Sequence, residues 1–160
     1  MTPDKNISGQ YGSGLLPDTS VLERLWRGGV VLSPLELRIV SLFVENSPAN
    51  FQSVLREQLG AANLVQRSPD WTELRFYTID KGRVDRSGLA ELPIRPGEIK
   101  LLSMAFLVEG ATEPIHANFW AVDRRFVIIN FDRSIKTFRH NVDIHMQKVR
   151  QSWRSNIEPK

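Results

Sequence analysis

His140, Asp143 and His145 are the side chains whose types first suggest chemistry, because imidazole and carboxylate groups both ligate divalent ions. On a helix, ligand pairs converge at i,i+3 or i,i+4, so His140 and Asp143 share a face and His145 falls on another. That spacing brings two ligands together and not three, and no metal or other cofactor is expected. His116 stands between Ile115 and Ala117 in a strand-like run, with Asn118 two residues on. A strand histidine of this kind serves more often as a hydrogen-bonded surface group than as a general base. The chain contains neither a G-x-S-x-G elbow nor an H-E-x-x-H pair, and no catalytic residue is assigned. Gly12-Ser13-Gly14 lacks the lysine of a phosphate loop, and Gly28-Gly29 follows a helix instead of opening one.

Charge is the other source of candidates. The net charge is only +3, but from Arg133 onward seven Lys/Arg face Asp143 and Glu158 alone. A basic segment on a near-neutral body marks either a solvated face or a surface for an anionic partner. Its exposed cations Arg139, Lys148, Arg150 and Arg154 are the candidate partner contacts. Phe138 and Trp153 lie in the same segment, the combination that tracks phosphates and stacks bases in nucleic-acid binders. Trp153, however, falls on an apolar stripe and is better explained as core. No helix-turn-helix, RRM or zinc-finger signature accompanies it.

The elements that must position these residues follow from punctuation and period. At 160 residues, 41% apolar and 24% charged, the composition is that of one globular domain with a core large enough to need no cross-links. There are no cysteines, which removes disulfides and thiolate chemistry and fits a reducing compartment. Met1–Leu16 lacks the apolar stretch of a secretory signal, and no apolar run reaches the length of a membrane span. A soluble, cytoplasmic protein with no membrane partner is therefore expected.

Residues 1–17 read as a flexible arm and 18–157 as a single domain. A short helix is expected over Ser20–Arg27. A second starts at Ser33, with Pro34 at the first helical position, Glu36 completing a capping box, and Pro48 closing it. A third is expected from an Asn50 cap to Leu59, ended by Gly60. From Trp71 the period changes to two, with Asp80-Lys81-Gly82 as a turn and 82–98 as an irregular loop.

Ile99–Glu109 is apolar on both faces, as an interior strand requires, although Ser103 and Ala105 make one face smaller. Ile115–Val122 and Phe126–Phe131 flank a hairpin connection, Asp123-Arg124-Arg125. Its lack of glycine predicts a type I turn with a bulge in preference to type I′. Val142, Met146, Val149 and Trp153 recur at helical spacing and predict a C-terminal helix. The expected fold is α+β: N-terminal helices, an antiparallel meander of about four strands, and a C-terminal helix.

Two stretches carry a family resemblance. One is the helix Ser53-Val54-Leu55-Arg56-Glu57-Gln58-Leu59, with Val65-Gln66-Arg67 and the Trp71–Ile79 strand after it. The other is the hairpin in which Trp120-Ala121-Val122-Asp123 leads to Phe126-Val127-Ile128-Ile129-Asn130-Phe131. Over residues 51–131 the chain resembles small, mostly uncharacterised bacterial α+β proteins, some of which act as immunity proteins that neutralise a toxin by binding it. It departs from their pattern at Arg124, where the hairpin has glycine, and at Asn130, where an acidic residue is usual. The resemblance implies a fold and transfers no functional residue.

The preferred expectation is a non-enzymatic protein-binding domain, immunity- or antitoxin-like, that occludes a protein partner through Arg139, Lys148, Arg150 and Arg154. The alternative is a small-ligand-binding protein or enzyme with a pocket between sheet and helices, lined by Trp71, Tyr77, His116, Asn118 and Trp120. Nucleic-acid binding through the basic C-terminal segment is the third.

Overall fold

The start signal at Ser33 is realised in full. In the computed structural model, which describes residues 32–157, helix α1 spans Pro34–Glu45. The Ser33 hydroxyl accepts from the Glu36 amide at 3.3 Å, and the Glu36 carboxylate accepts from the Ser33 amide at 2.7 Å. The arm expected over 1–17 and the helix expected over Ser20–Arg27 lie outside the described residues.

Helix α2 spans Ala49–Ala61. It starts one residue before the expected Asn50 cap, because Pro48 occupies the cap position in extended geometry and its carbonyl accepts from Phe51 and Gln52. Gly60 falls inside the last turn instead of ending it, and the chain leaves the helix at the buried Ala62. Neither described helix is long and apolar enough to cross a membrane.

Among the described residues eight strands follow: β1 Leu64–Arg67, β2 Glu73–Tyr77, β3 Ile79–Asp80, β4 Arg83–Val84, β5 Glu98–Val108, β6 Ile115–Val122, β7 Arg125–Phe131 and β8 Ile144–Gln151. Six form one sheet in the order β1-β2-β7-β6-β5-β8, and β3 and β4 make a small separate hairpin. Every pairing is antiparallel. The α+β class therefore holds, with a larger sheet than the four strands expected. As its two apolar faces required, β5 is interior, paired to β6 on one side and β8 on the other.

The C-terminal helix is absent. Residues 144–151 form edge strand β8, and the reason the spacing misleads is a bulge. Ala105 pairs with Lys148 and Phe106 with Met146, which leaves Gln147 as an extra residue. The inward residues Ile144, Met146 and Val149 are thus two and then three apart, which mimics a helical repeat. Val142 is exposed and belongs to no buried stripe, while Trp153 sits on a 3-10 turn, Trp153–Asn156, and packs on Phe51 at 5.2 Å between ring centroids. Strict alternation from Met146 would turn Lys148 and Arg150 inward. The bulge returns both to the outer face.

The hairpin between β6 and β7 also differs from expectation. Val122 pairs with Arg125, so the loop is Asp123-Arg124 alone, and both residues have positive φ, 47° and 68°. That is the type I′ arrangement, adopted without glycine, and it is held from outside. Gly97 and Asp123 exchange two hydrogen bonds at 2.9 Å, Arg124 Nε donates to the Ile94 carbonyl at 2.9 Å, and the Arg124 carbonyl accepts from Leu92 at 2.9 Å. Local strain of about 1–2 kcal/mol at a non-glycine left-handed residue is offset by this strapping segment.

Both helices pack on one face of the sheet. Phe43 of α1 stacks on Phe119 of β6 at 4.3 Å and lies 4.8 Å from Phe126 of β7, with Leu55 and Leu59 of α2 buried beside them. Across the edge, the buried Glu36 is gripped by Arg67 of β1 through Nε at 2.6 Å and Nη2 at 2.7 Å. The opposite face carries no helix among the described residues.

Candidate functional site

Register assigns the side chains of that helix-free face directly, because alternate residues of paired strands stand together. Arg150, Ser103, Asn118, Asn130 and Glu73 form one row across β8, β5, β6, β7 and β2. A second row holds Lys148, Ala105 and His116, and a third holds Lys100, Trp120, Ile128 and Arg75. The inner face of the same strands is apolar, with Met, Val and Ala beside the phenylalanines, leucines and isoleucines, so the division between core and outer face follows from period-two alternation.

The first row is internally bonded on its β2 side. The Asn130 amide donates to Glu73 Oε2 at 3.0 Å, and Arg75 binds the other Glu73 oxygen. That hydrogen bond, with Glu73's charge, raises the Arg75 pKa above its ordinary value. Towards β8, Ser103 Oγ donates to Asn118 Oδ1 at 2.7 Å.

Cations on the far side of β2 and β7 are likewise engaged: Arg124 and Arg125 each contact Glu91 at 3.2 Å, and Arg86 lies over the Tyr77 ring at 5.5 Å. Burial draws the Arg86 pKa below its ordinary value, with Tyr77 opposing and Arg125 adding to the shift. Lys148 and Arg150, by contrast, are exposed and have no carboxylate partner among the described residues. Among the described residues, positive charge without a carboxylate partner is therefore concentrated on the β5/β8 half of the face.

Here the surface is also concave. A cavity of about 280 Å³ is floored by Ser103 and Ala105 and walled by His116, Asn118, Lys148 and Arg150. Two groups expected to act separately thus meet: His116 and Asn118 from the anticipated ligand pocket, and Lys148 and Arg150 from the anticipated partner contacts. They meet on the outer face and not between sheet and helices, where the stacked phenylalanines lie.

The remaining expected residues are elsewhere. Trp120 neighbours the cavity, with Lys100 Nζ 5.4 Å from its ring centroid. Trp71 occupies the β1–β2 connection at φ 59° with Arg67 above its ring, and Tyr77 ends β2. Arg139 donates to the Lys136 carbonyl beside the start of α1, and Arg154 lies over the Trp153 ring, so both belong to the helix side.

A larger cavity, about 460 Å³, opens at the end of β5 and β8, with Asp143, His145, Glu109 and Arg38 among its lining. His140 does not reach it, and among the described residues no three His, Asp or Glu side chains gather as a metal site.

Sequence reasoning missed Ser103, Ala105 and Lys100 as parts of the surface. Their signal was present: the small residues interrupt one face of an otherwise large apolar strand. Reading 144–151 as a strand with a bulge would have added Lys148 and Arg150, two apart, to the same face.

No family model matches the chain, nor does any curated protein or solved structure.

Proposed function

We propose that this chain is a non-enzymatic binding protein that covers an acidic surface of a protein partner with the β5/β8 half of its helix-free face. The observation that carries the reading is the pair of exposed cations, Lys148 and Arg150, without a carboxylate partner among the described residues and held beside Asn118 and His116 on an interior-and-edge strand pair. The mechanism is occlusion, with the cationic half steering the encounter and the polar row fixing register. Few large apolar residues are exposed, Val84, Val142 and Ile157 among the described ones, so recognition is polar in character. We place the encounter in the cytoplasm, with whose reducing conditions a cysteine-free chain is compatible.

Nucleic acid is the less favoured anion because the aromatic rings are already capped. Lys100 lies over Trp120, Arg86 over Tyr77 and Arg154 over Trp153, so stacking a base requires a cation to be displaced first.

The test is affinity capture from source-cell extract with three forms: the natural chain, the K148E/R150E double variant, and an R139E/R154E control reversed on the helix side. The reading expects one stoichiometric protein, released by salt, absent with the first variant and retained with the control. Equal capture by all three forms, or capture of nucleic acid in place of protein, overturns it.

A further inference from the structure

We propose that the groove floored by Ser103 and Ala105 binds a phosphate monoester dianion carried on a side chain of the protein partner. The groove follows from the register. β6, β5 and β8 lie side by side at about 4.8 Å spacing, so the walls on β6 and β8 stand about 10 Å apart. His116, Ala105 and Lys148 make one transverse row, and Asn118, Ser103 and Arg150 make the next. The small floor residues leave the depression, and the larger groups on either side rise above it. The bulge at Gln147 is what aims both cations into it, a recurrent use of bulges beside functional sites.

The chemistry of the lining is that of an anion site. Lys148 and Arg150 are donors only, and among the described residues no carboxylate lines the groove. Ser103 Oγ donates to Asn118 Oδ1 at 2.7 Å, which occupies the acceptor end of that amide. The Asn118 Nδ2 group, with no acceptor among the described residues, is thereby presented as a donor. Two cations match two negative charges. A single carboxylate leaves one cation uncompensated, whereas a phosphate monoester near neutrality carries about −1.5 to −2. The tetrahedral oxygens suit donors converging from opposite walls.

The walls His116, Lys148 and Arg150 are exposed, so the groove is open. Free small ligands are held in sites that bury most of their surface, and an open groove suits a phosphoryl group pendant on a larger molecule.

This inference shares Lys148 and Arg150 with the docking face proposed above and rests on that reading for the source of the phosphate. Its test needs no partner, so the two can fail separately. The isotope-labelled full chain is titrated, at constant ionic strength, with inorganic phosphate, a phosphoserine peptide, the same peptide with aspartate in place of phosphoserine, and glucose 6-phosphate. Saturable shifts of the Ser103 and Ala105 amides and the Asn118 side-chain amide are expected with phosphate and, more tightly, with the phosphopeptide.

The K148A/R150A variant is expected to bind the phosphopeptide about tenfold more weakly or worse. The N118D variant, whose carboxylate still accepts from Ser103 but places an anion in the groove, is expected to abolish binding. Unchanged signals from the core report that each variant is folded. Absence of saturable shifts, or unchanged affinity in both variants, overturns the site. An aspartate peptide that binds as tightly overturns the dianion requirement, and glucose 6-phosphate binding as tightly as the phosphopeptide overturns the protein source.

Discussion

Replacing Gln58 with Met tests how the helical layer is fastened to the sheet. Gln58 is 4% exposed and joins three chain segments. Its Nε2 donates to the Ala90 carbonyl at 2.6 Å and the Arg124 carbonyl at 3.2 Å, and its Oε1 accepts from the Phe126 amide at 2.9 Å. Methionine keeps the length and apolar packing but no polar partner. The Arg124 carbonyl retains the Leu92 amide at 2.9 Å, so the loss falls on the buried Phe126 amide and the Ala90 carbonyl.

An unpaired buried amide costs about 1–3 kcal/mol and a lost hydrogen bond to a partly wet carbonyl about 1, so the variant is expected to lose about 2–4 kcal/mol. For a chain of this length that lowers Tm by on the order of 10 °C. Gln58→Glu sharpens the test, because its carboxylate faces two carbonyl oxygens at neutral pH and cannot donate. Its folded-state pKa is raised above the unfolded value, so the penalty is complete above the folded pKa. It shrinks as pH falls towards about 4 and the carboxyl regains a proton to donate. Urea denaturation across this pH range measures both effects. A Gln58→Met variant within about 0.5 kcal/mol of the natural chain, or a Gln58→Glu penalty that ignores pH, refutes the reasoning.

Three further outcomes follow from the geometry. Arg67→Ala leaves the Glu36 carboxylate, which is 1% exposed, with the Ser33 amide but without the Arg67 cation, and is expected to cost about 2–3 kcal/mol by urea denaturation, less than a fully buried pair because Arg67 is 23% exposed. Arg124→Gly and Arg124→Ala both lose the side chain's contacts, but only glycine relieves the positive φ of 68°, so the glycine variant is expected to be more stable by about 1 kcal/mol in the same assay. Asp70 has its pKa lowered by hydrogen bonds from the Ser68 and Thr72 hydroxyls and the Thr72 amide. Its contribution is therefore present above its ordinary pKa and fades as pH falls through the lowered one, and Asp70→Asn is expected to flatten the acid limb of a Tm–pH curve.

The parts of the fold legible in the sequence are those written in local chemistry. Ser33, Pro34 and Glu36 specify a helix start by reciprocal hydrogen bonds within four residues, and that start is realised. Alternation in Ile115–Val122 specifies a strand because one face must be buried. The failures come where tertiary contacts override a local rule. Asp123-Arg124 adopts the left-handed turn because Gly97, Ile94 and Leu92, distant in sequence, supply its hydrogen bonds. β8 reads as a helix because one bulged residue turns a period of two into a spacing of three. The candidate site shows the same division. His116 and Asn118 were visible as polar residues in an apolar strand, and Lys148 and Arg150 as part of a basic segment. Their meeting was not visible, because it depends on β8 pairing with β5 and not on any spacing along the chain.

The central claim, that the β5/β8 half of the helix-free face meets the partner, is tested most directly by lysine footprinting of the captured complex against the free chain. Lys148 and Lys100 stand on that face, whereas Lys136 lies on the helix side next to Arg139. The account predicts that acetylation of Lys148 and Lys100 falls sharply on complex formation while Lys136 labels as before. Protection of Lys136 with Lys148 fully labelled contradicts it and places the interface on the opposite side of the molecule.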